Sequence, residues 1–193
     1  GVSYLDIAIL YRSNYLSRSF ERVLTNAHIP YVIFGGLRFY DRQEIKDMMS
    51  YLRMVSHGDD LALKRSVASP RRGIGDKTLQ GIFDRAQVYE TTMYQEMKRM
   101  IEAKEAGPRI REYVELIEGF ATFYNEHKSI RELMVKVHEE SGLRAQYDKN
   151  EEIERNENVK SLMGEASEFN RNNEDATLED YVQMVSLYGD KAE

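Results

Sequence analysis

The chain has 193 residues with a formal net charge of −6 at pH 7; 41% of them are hydrophobic, 31% are charged, and there is no Cys or Trp. That length fits one good-sized domain, or one domain with part of another. The lack of Cys excludes a disulfide framework, a zinc–thiolate site and a thiol nucleophile. No apolar run approaches the roughly 18 residues that a membrane span needs, and no signal-peptide pattern is present, so the chain reads as a soluble cytoplasmic protein.

The charge is unevenly distributed. Up to Thr78 there are 12 Lys/Arg and 8 Asp/Glu; beyond it there are 15 and 25. A basic first part and an acidic remainder place any contact with a polyanion early in the chain.

In chain order, Ile7-Ala8-Ile9-Leu10-Tyr11 is a short, continuously apolar run that predicts a strand buried on both faces. Leu16, Phe20, Val23, Leu24 and Ala27 recur at helical spacing, and Tyr31-Val32-Ile33-Phe34 predicts a second strand ended by Gly35-Gly36. This is a βαβ unit, and two strands make no stable sheet alone. The unit is therefore expected to be part of a larger sheet.

After Phe39 every pattern is helical. Ile45, Met48, Met49, Leu52 and Val55 form one stripe; Leu79, Ile82, Phe83 and Ala86 form another. Pro108 suits a helix start, with Ile110, Tyr113, Val114, Ile117, Phe120 and Tyr124 in register behind it. Ser129 and Glu132 make a capping box, and Gly142 ends that helix. Val159, Leu162, Met163, Ala166 and Phe169 mark a further helix, and Thr177 opens the last. The expected fold class is mainly α with a small α/β part, and the boundary between the parts is placed near Gly58.

Ser69-Pro70-Arg71-Arg72-Gly73-Ile74-Gly75-Asp76-Lys77-Thr78 is the most informative stretch. Two glycines around one apolar residue make a tight hairpin between helices, with Ile74 plugging the apolar gap. Asp76 is expected to cap the next helix, whose free amides suit a phosphate, and Arg71, Arg72 and Lys77 add cations. This is the logic of a helix-hairpin-helix that grips a DNA backbone without reading bases. An ordinary helix–helix turn with solvated charges fits the same spacing. Arg12 and Asn14 follow the first strand, where ligands bind in open α/β sheets, and Arg38 follows the second. Each also suits a simple strand-to-helix connection.

Other chemistry finds little support. Glu44 and Asp47 sit in a first helical turn, where acids complement the helix dipole. His28, His57, His127 and His138 have no metal-ligand spacing. No Gly-x-x-x-x-Gly-Lys-Ser/Thr loop occurs. No catalytic residue, metal site or cofactor is assigned to this chain.

Asp6 to Asn14, Ser17-Arg18, Glu21, Ile29-Pro30-Tyr31 and Gly35-Gly36 resemble a segment of the second motor domain of the UvrD/Rep/PcrA-type superfamily 1 DNA helicases. Phe39-Tyr40-Asp41-Arg42, Glu44 to Asp47 and Tyr51-Leu52-Arg53 resemble the next family motif, and Arg72-Gly73-Ile74-Gly75 falls where the family has its Gly-Ile-Gly hairpin. Ser141-Gly142, Arg155 and Glu157-Asn158 resemble weaker positions further on. Ala68 departs from the pattern, because a polar Asn is common there.

The resemblance implies two units. Residues 1–58 would be part of a RecA-like motor domain, 2A, as an incomplete βαβ unit. Residues 59–193 would be most of an all-helical, duplex-facing and regulatory 2B domain that contains the helix-hairpin-helix. It implies that Arg12, Asn14 and Arg38 line a single-strand DNA track. Arg71, Arg72, Gly73, Ile74, Gly75, Lys77 and Thr78 would face duplex DNA. ATP and Mg²⁺ would belong to the parent protein, outside this piece. The implied partners are DNA of any sequence, the parent's 1A, 1B and remaining 2A domains, and repair proteins docking on 2B, with no membrane. The competing expectation is a helical protein-interaction module with no direct role on DNA.

Overall fold

A computed structural model describes residues 2–12, 16–34 and 38–190. Among them are ten α-helices: α1 (Ser17–Asn26), α2 (Gln43–Ser56), α3 (Asp60–Ala68), α4 (Asp76–Val88), α5 (Met93–Glu102), α6 (Pro108–His127), α7 (Ile130–Glu140), α8 (Leu143–Lys149), α9 (Ile153–Asn172) and α10 (Leu178–Asp190).

No strand occurs among the described residues, which overturns the expected βαβ unit and the mixed fold class. Residues 7–11 and 31–34 carry strand-like composition, but a strand exists only through a ladder, and neither run pairs with a neighbour. Most of their side chains stay in solvent, with Leu10 93% and Phe34 91% exposed, while Tyr11, Tyr31 and Ile33 are half-buried. Gly35 and Gly36 lie outside the described residues.

The sequence signals for helices act locally. Asp59 accepts from the Ala62 amide at 2.9 Å to start α3. Thr92 and Ser129 cap α5 and α7 in the same way, each at 3.2 Å. Pro108 occupies the first turn of α6, and Ile110, Tyr113, Val114, Ile117 and Phe120 all face the core from that helix. Asp41 does not cap α2. It ends a 3-10 turn, Phe39–Asp41, and its carboxylate takes Arg38 and Lys46 instead.

Helix α2 is the spine of the molecule. Nine of its 14 residues are buried, so it is wrapped by other helices on nearly every side. It packs against α3, α6, α7, α9 and α10. Its N-terminal end carries a buried polar network. Arg42 donates to Ser17 Oγ at 2.7 Å and to Asn158 Oδ1 at 2.8 Å. Asn158 in turn donates to Glu44 at 2.6 Å. Such groups are stable in a core only when their partners are all present.

Helix α1 docks with its polar side inward. Its buried residues are Ser17 and Glu21, while Phe20 and Val23 are exposed. Glu21 receives the Ser17 hydroxyl at 2.6 Å and the Phe39 amide at 3.0 Å. Arg18 and Arg22 form ion pairs with Glu165 and Glu168 of α9. The apolar face of α1 and the exposed run before it are thus left uncovered among the described residues.

Two predictions follow from the core. Phe120 is fully buried and meets Tyr51 edge-on at 6.2 Å. Phe120→Ala is expected to lower unfolding free energy by about 3–5 kcal/mol in a denaturant titration. His138 is buried beside Asn156, Glu139, Arg144 and Asp148, and burial holds its pKa below the ordinary value of 6.5. The unfolded chain then binds more protons over that window, so stability present above the ordinary value is lost as pH falls through the folded one. Thermal melts should show a steeper loss on acidification for the natural chain than for His138→Gln.

Candidate nucleic-acid interface

The turn between α3 and α4 is built from inside outward. Ser69 ends α3, and its hydroxyl donates to Asp47 of α2 at 2.7 Å. Arg65 holds the other oxygen of that carboxylate at 2.7 Å. The Tyr51 hydroxyl, also on α2, lies 2.9 Å from the Ser66 carbonyl and 2.8 Å from that of Ser69. Burial pushes this hydroxyl's pKa upward, so it stays a neutral donor.

Arg72 points into this assembly. It donates to the Tyr51 hydroxyl at 2.5 Å and to the Ser141 carbonyl at 2.9 Å, and its guanidinium lies over the Tyr51 ring at 5.6 Å. Ser141-Gly142 is the turn between α7 and α8. Gly142 has φ +90°, and a β-carbon there would come within 3.3 Å of the Pro70 ring. The family-like Arg72 and Ser141-Gly142 therefore meet in space and brace the α3–α4 turn from behind.

The front of the turn is open. Ile74 is buried, anchoring the tip in the gap between the helices. Gly73 has φ +72°, a conformation that strains any L side chain. Gly75 is the N-cap of α4 with ordinary backbone angles, and a β-carbon there would meet nothing within 4 Å. Asp76 is not the cap expected of it; it stands exposed in the first turn of α4, where a negative charge complements the helix dipole. Arg71, Lys77 and Thr78 are exposed, and neither cation has an ion-pair partner among the described residues.

An open groove of about 670 Å³ runs along the turn, lined among others by Lys64, Arg71, Ile74, Asp76, Gln80 and Phe83. Lys64 lies over the Phe83 ring at 5.1 Å. The sequence reading missed Lys64, although it stands in the middle of α3, one helical turn before Ala68. Phe83 had been read as core and instead forms a half-buried wall. Arg109 of α6 also reaches the turn, its side chain lying across Gly73. No local pattern signals that placement.

Of the three residues assigned to a single-strand track, Arg12 and Arg38 are not brought together with the turn. Arg12 is exposed, and Arg38 is paired with Asp41 at 2.9 Å. Asn14 lies outside the described residues. No hydrogen bond or ion pair among the described residues joins Arg12 or Arg38 to the turn. Among these residues, too, no helix is long and apolar enough to cross a membrane.

The family model described as the UvrD-like helicase C-terminal domain matches residues 1–193. The chain belongs to the UvrD-like helicase family through that domain. It is 37% identical over 186 residues to DNA helicase II of Escherichia coli strain K12, a match covering 92% of this chain and 26% of that protein. ATP-dependent DNA helicase UvrD1 of Mycobacterium tuberculosis strain H37Rv is 33% identical over 217 residues, covering 100% and 28%. ATP-dependent DNA helicase PcrA of Bacillus subtilis strain 168 is 34% identical over 193 residues, covering 96% and 26%. The chain thus spans about a quarter of the length of these relatives.

The turn separates two neighbouring arginines. Arg72→Ala removes charge-assisted hydrogen bonds from a half-buried site and is expected to cost about 1.5–3 kcal/mol of stability. Arg71→Ala should leave the unfolding midpoint unchanged. Chemical denaturation of both variants distinguishes them.

Proposed function

We propose that this chain is the duplex-gripping and regulatory portion of an ATP-dependent DNA helicase. Residues 1–58 would belong to motor domain 2A and residues 59–193 to the inserted domain 2B. One observation carries the reading: the turn at 73–75 is braced from behind by Arg72, while its front offers open space at Gly75 and the exposed cations Arg71 and Lys77, which have no ion-pair partner among the described residues. In this reading α3, the turn and α4 act as a helix-hairpin-helix. A phosphate backbone can approach where no side chain intervenes, and the cations supply sequence-independent attraction. Arg72 serves this role by bracing the hairpin rather than by touching DNA.

Tyr40, just before α2, stacks on Tyr188 of α10 at 5.4 Å, so α10 packs beside the start of α2. The outward apolar face of α1 and the exposed residues 7–11 and 31–34 would be covered by the rest of 2A. Arg12, Asn14 and Arg38 would then contact single-stranded DNA, with Arg38 exchanging Asp41 for phosphate. The interaction-module reading needs a broad apolar patch on the later helices. There the exposed large apolar residues include Ile153 and Leu187, on separate helices.

The sequence has no Gly-x-x-x-x-Gly-Lys-Ser/Thr loop to cradle a triphosphate. ATP and Mg²⁺ are assigned to other parts of the parent.

Binding of a labelled duplex by the chain should be weak, roughly 10⁻⁴–10⁻⁶ M, and should fall steeply with salt. Gly75→Val is the sharpest variant, since its side chain meets open space within the protein. Valine is a poorer N-cap than glycine, so the variant should melt slightly lower, and it should lose duplex affinity. Equal affinity for Gly75→Val and the natural chain would show that the turn is a simple helix connection.

A further inference from the structure

The glycine at position 73 has a second consequence. Arg109 lies against it: an ideal β-carbon at Gly73 would sit 3.5 Å from Arg109 Nε and 3.8 Å from its Cδ, in van der Waals contact. Arg109 comes from the first turn of α6, far along the chain from the turn it covers. Its ion-pair partner is Glu112, one helical turn away at 3.2 Å, with both side chains about two-thirds exposed. An exposed i,i+3 pair of this kind is held weakly and exchanges readily with another anion. Lys64 and Arg71 line the groove on one side of the turn, and Arg109 lies across Gly73 at its tip.

We propose that Arg109 is a phosphate-binding residue of this face, taking a backbone phosphate of duplex DNA in exchange for Glu112. The inference rests on the duplex-gripping reading above. It adds a contact from a third element, so that the face is assembled from α3, the turn and α6. Arginine suits the task because its planar fork matches a phosphate's oxygens and it remains charged. Two carboxylates oppose binding here, Glu112 beside Arg109 and Asp76 at the start of α4. Neutralising Glu112 should therefore strengthen the contact.

The test is a salt titration of duplex binding by the 193-residue chain, read by anisotropy of a labelled blunt duplex, for Arg109→Ala, Arg109→Lys, Glu112→Gln and Arg71→Ala. One phosphate contact corresponds to a salt slope of about 0.9, an affinity change of roughly eightfold for each tenfold change in salt. Arg109→Ala should lose about that much slope, Arg109→Lys should retain most of the slope, and Glu112→Gln should bind more tightly. Melting temperatures should not change, since the pair is exposed. A fall for Arg71→Ala with no change for Arg109→Ala or Glu112→Gln overturns the role of Arg109 and leaves the gripping reading standing. No change for any variant overturns both.

Discussion

The inward turn of Arg72 governs the geometry of the α3–α4 connection. Its guanidinium ties the turn to Tyr51 on the buried spine and to Ser141 at the α7–α8 turn, elements that are remote from it in sequence. Because Arg72 is spent inside, the tip at Gly73-Ile74-Gly75 faces outward with Ile74 as its anchor. Hydrogen bonds from a charged donor are stronger than neutral ones, and a half-buried site screens them less than solvent does. In the proposed role the loop gains from such bracing. Ordering it costs little at the moment of binding.

The same helix serves both ends of the molecule. Asp47 and Tyr51 of α2 support the turn, while Arg42 and Glu44 at its start enter the polar network with Ser17 and Asn158. Beyond that network, α1 is fastened by Ser17, Glu21 and two ion pairs to α9. A helix that turns polar residues toward its neighbour and apolar ones away is attached differently from the others. The helical body is held by a continuous apolar core, whereas α1 is held by charges and hydrogen bonds.

The sequence made the helical body legible because helix signals are local. The stripe from Ile110 to Phe120, Pro108 at its start and the Ser129 cap are all read within a few residues of where they act. The segments at 7–11 and 31–34 failed as strands because a sheet is made by partners that composition does not reveal. Arg71 and Arg72 show the same limit at a finer scale. They are adjacent and of one type, yet one is exposed and the other is bound within, and the difference is set by Tyr51 and Ser141. Gly75 rather than Asp76 caps α4, a shift of one residue that moves a negative charge from the cap into the first turn. Arg109 was invisible, since nothing near it in the chain refers to Gly73.

The central claim is that the braced turn is the face that meets duplex DNA. Amide chemical-shift mapping by heteronuclear NMR, during titration with a short duplex, tests it most directly. The largest shifts are expected at residues 71–77, with accompanying changes at Lys64 and Arg109 and little change on α9. Shifts centred on α7, α9 or α10, with the 71–77 amides unmoved at saturating duplex, would contradict the account.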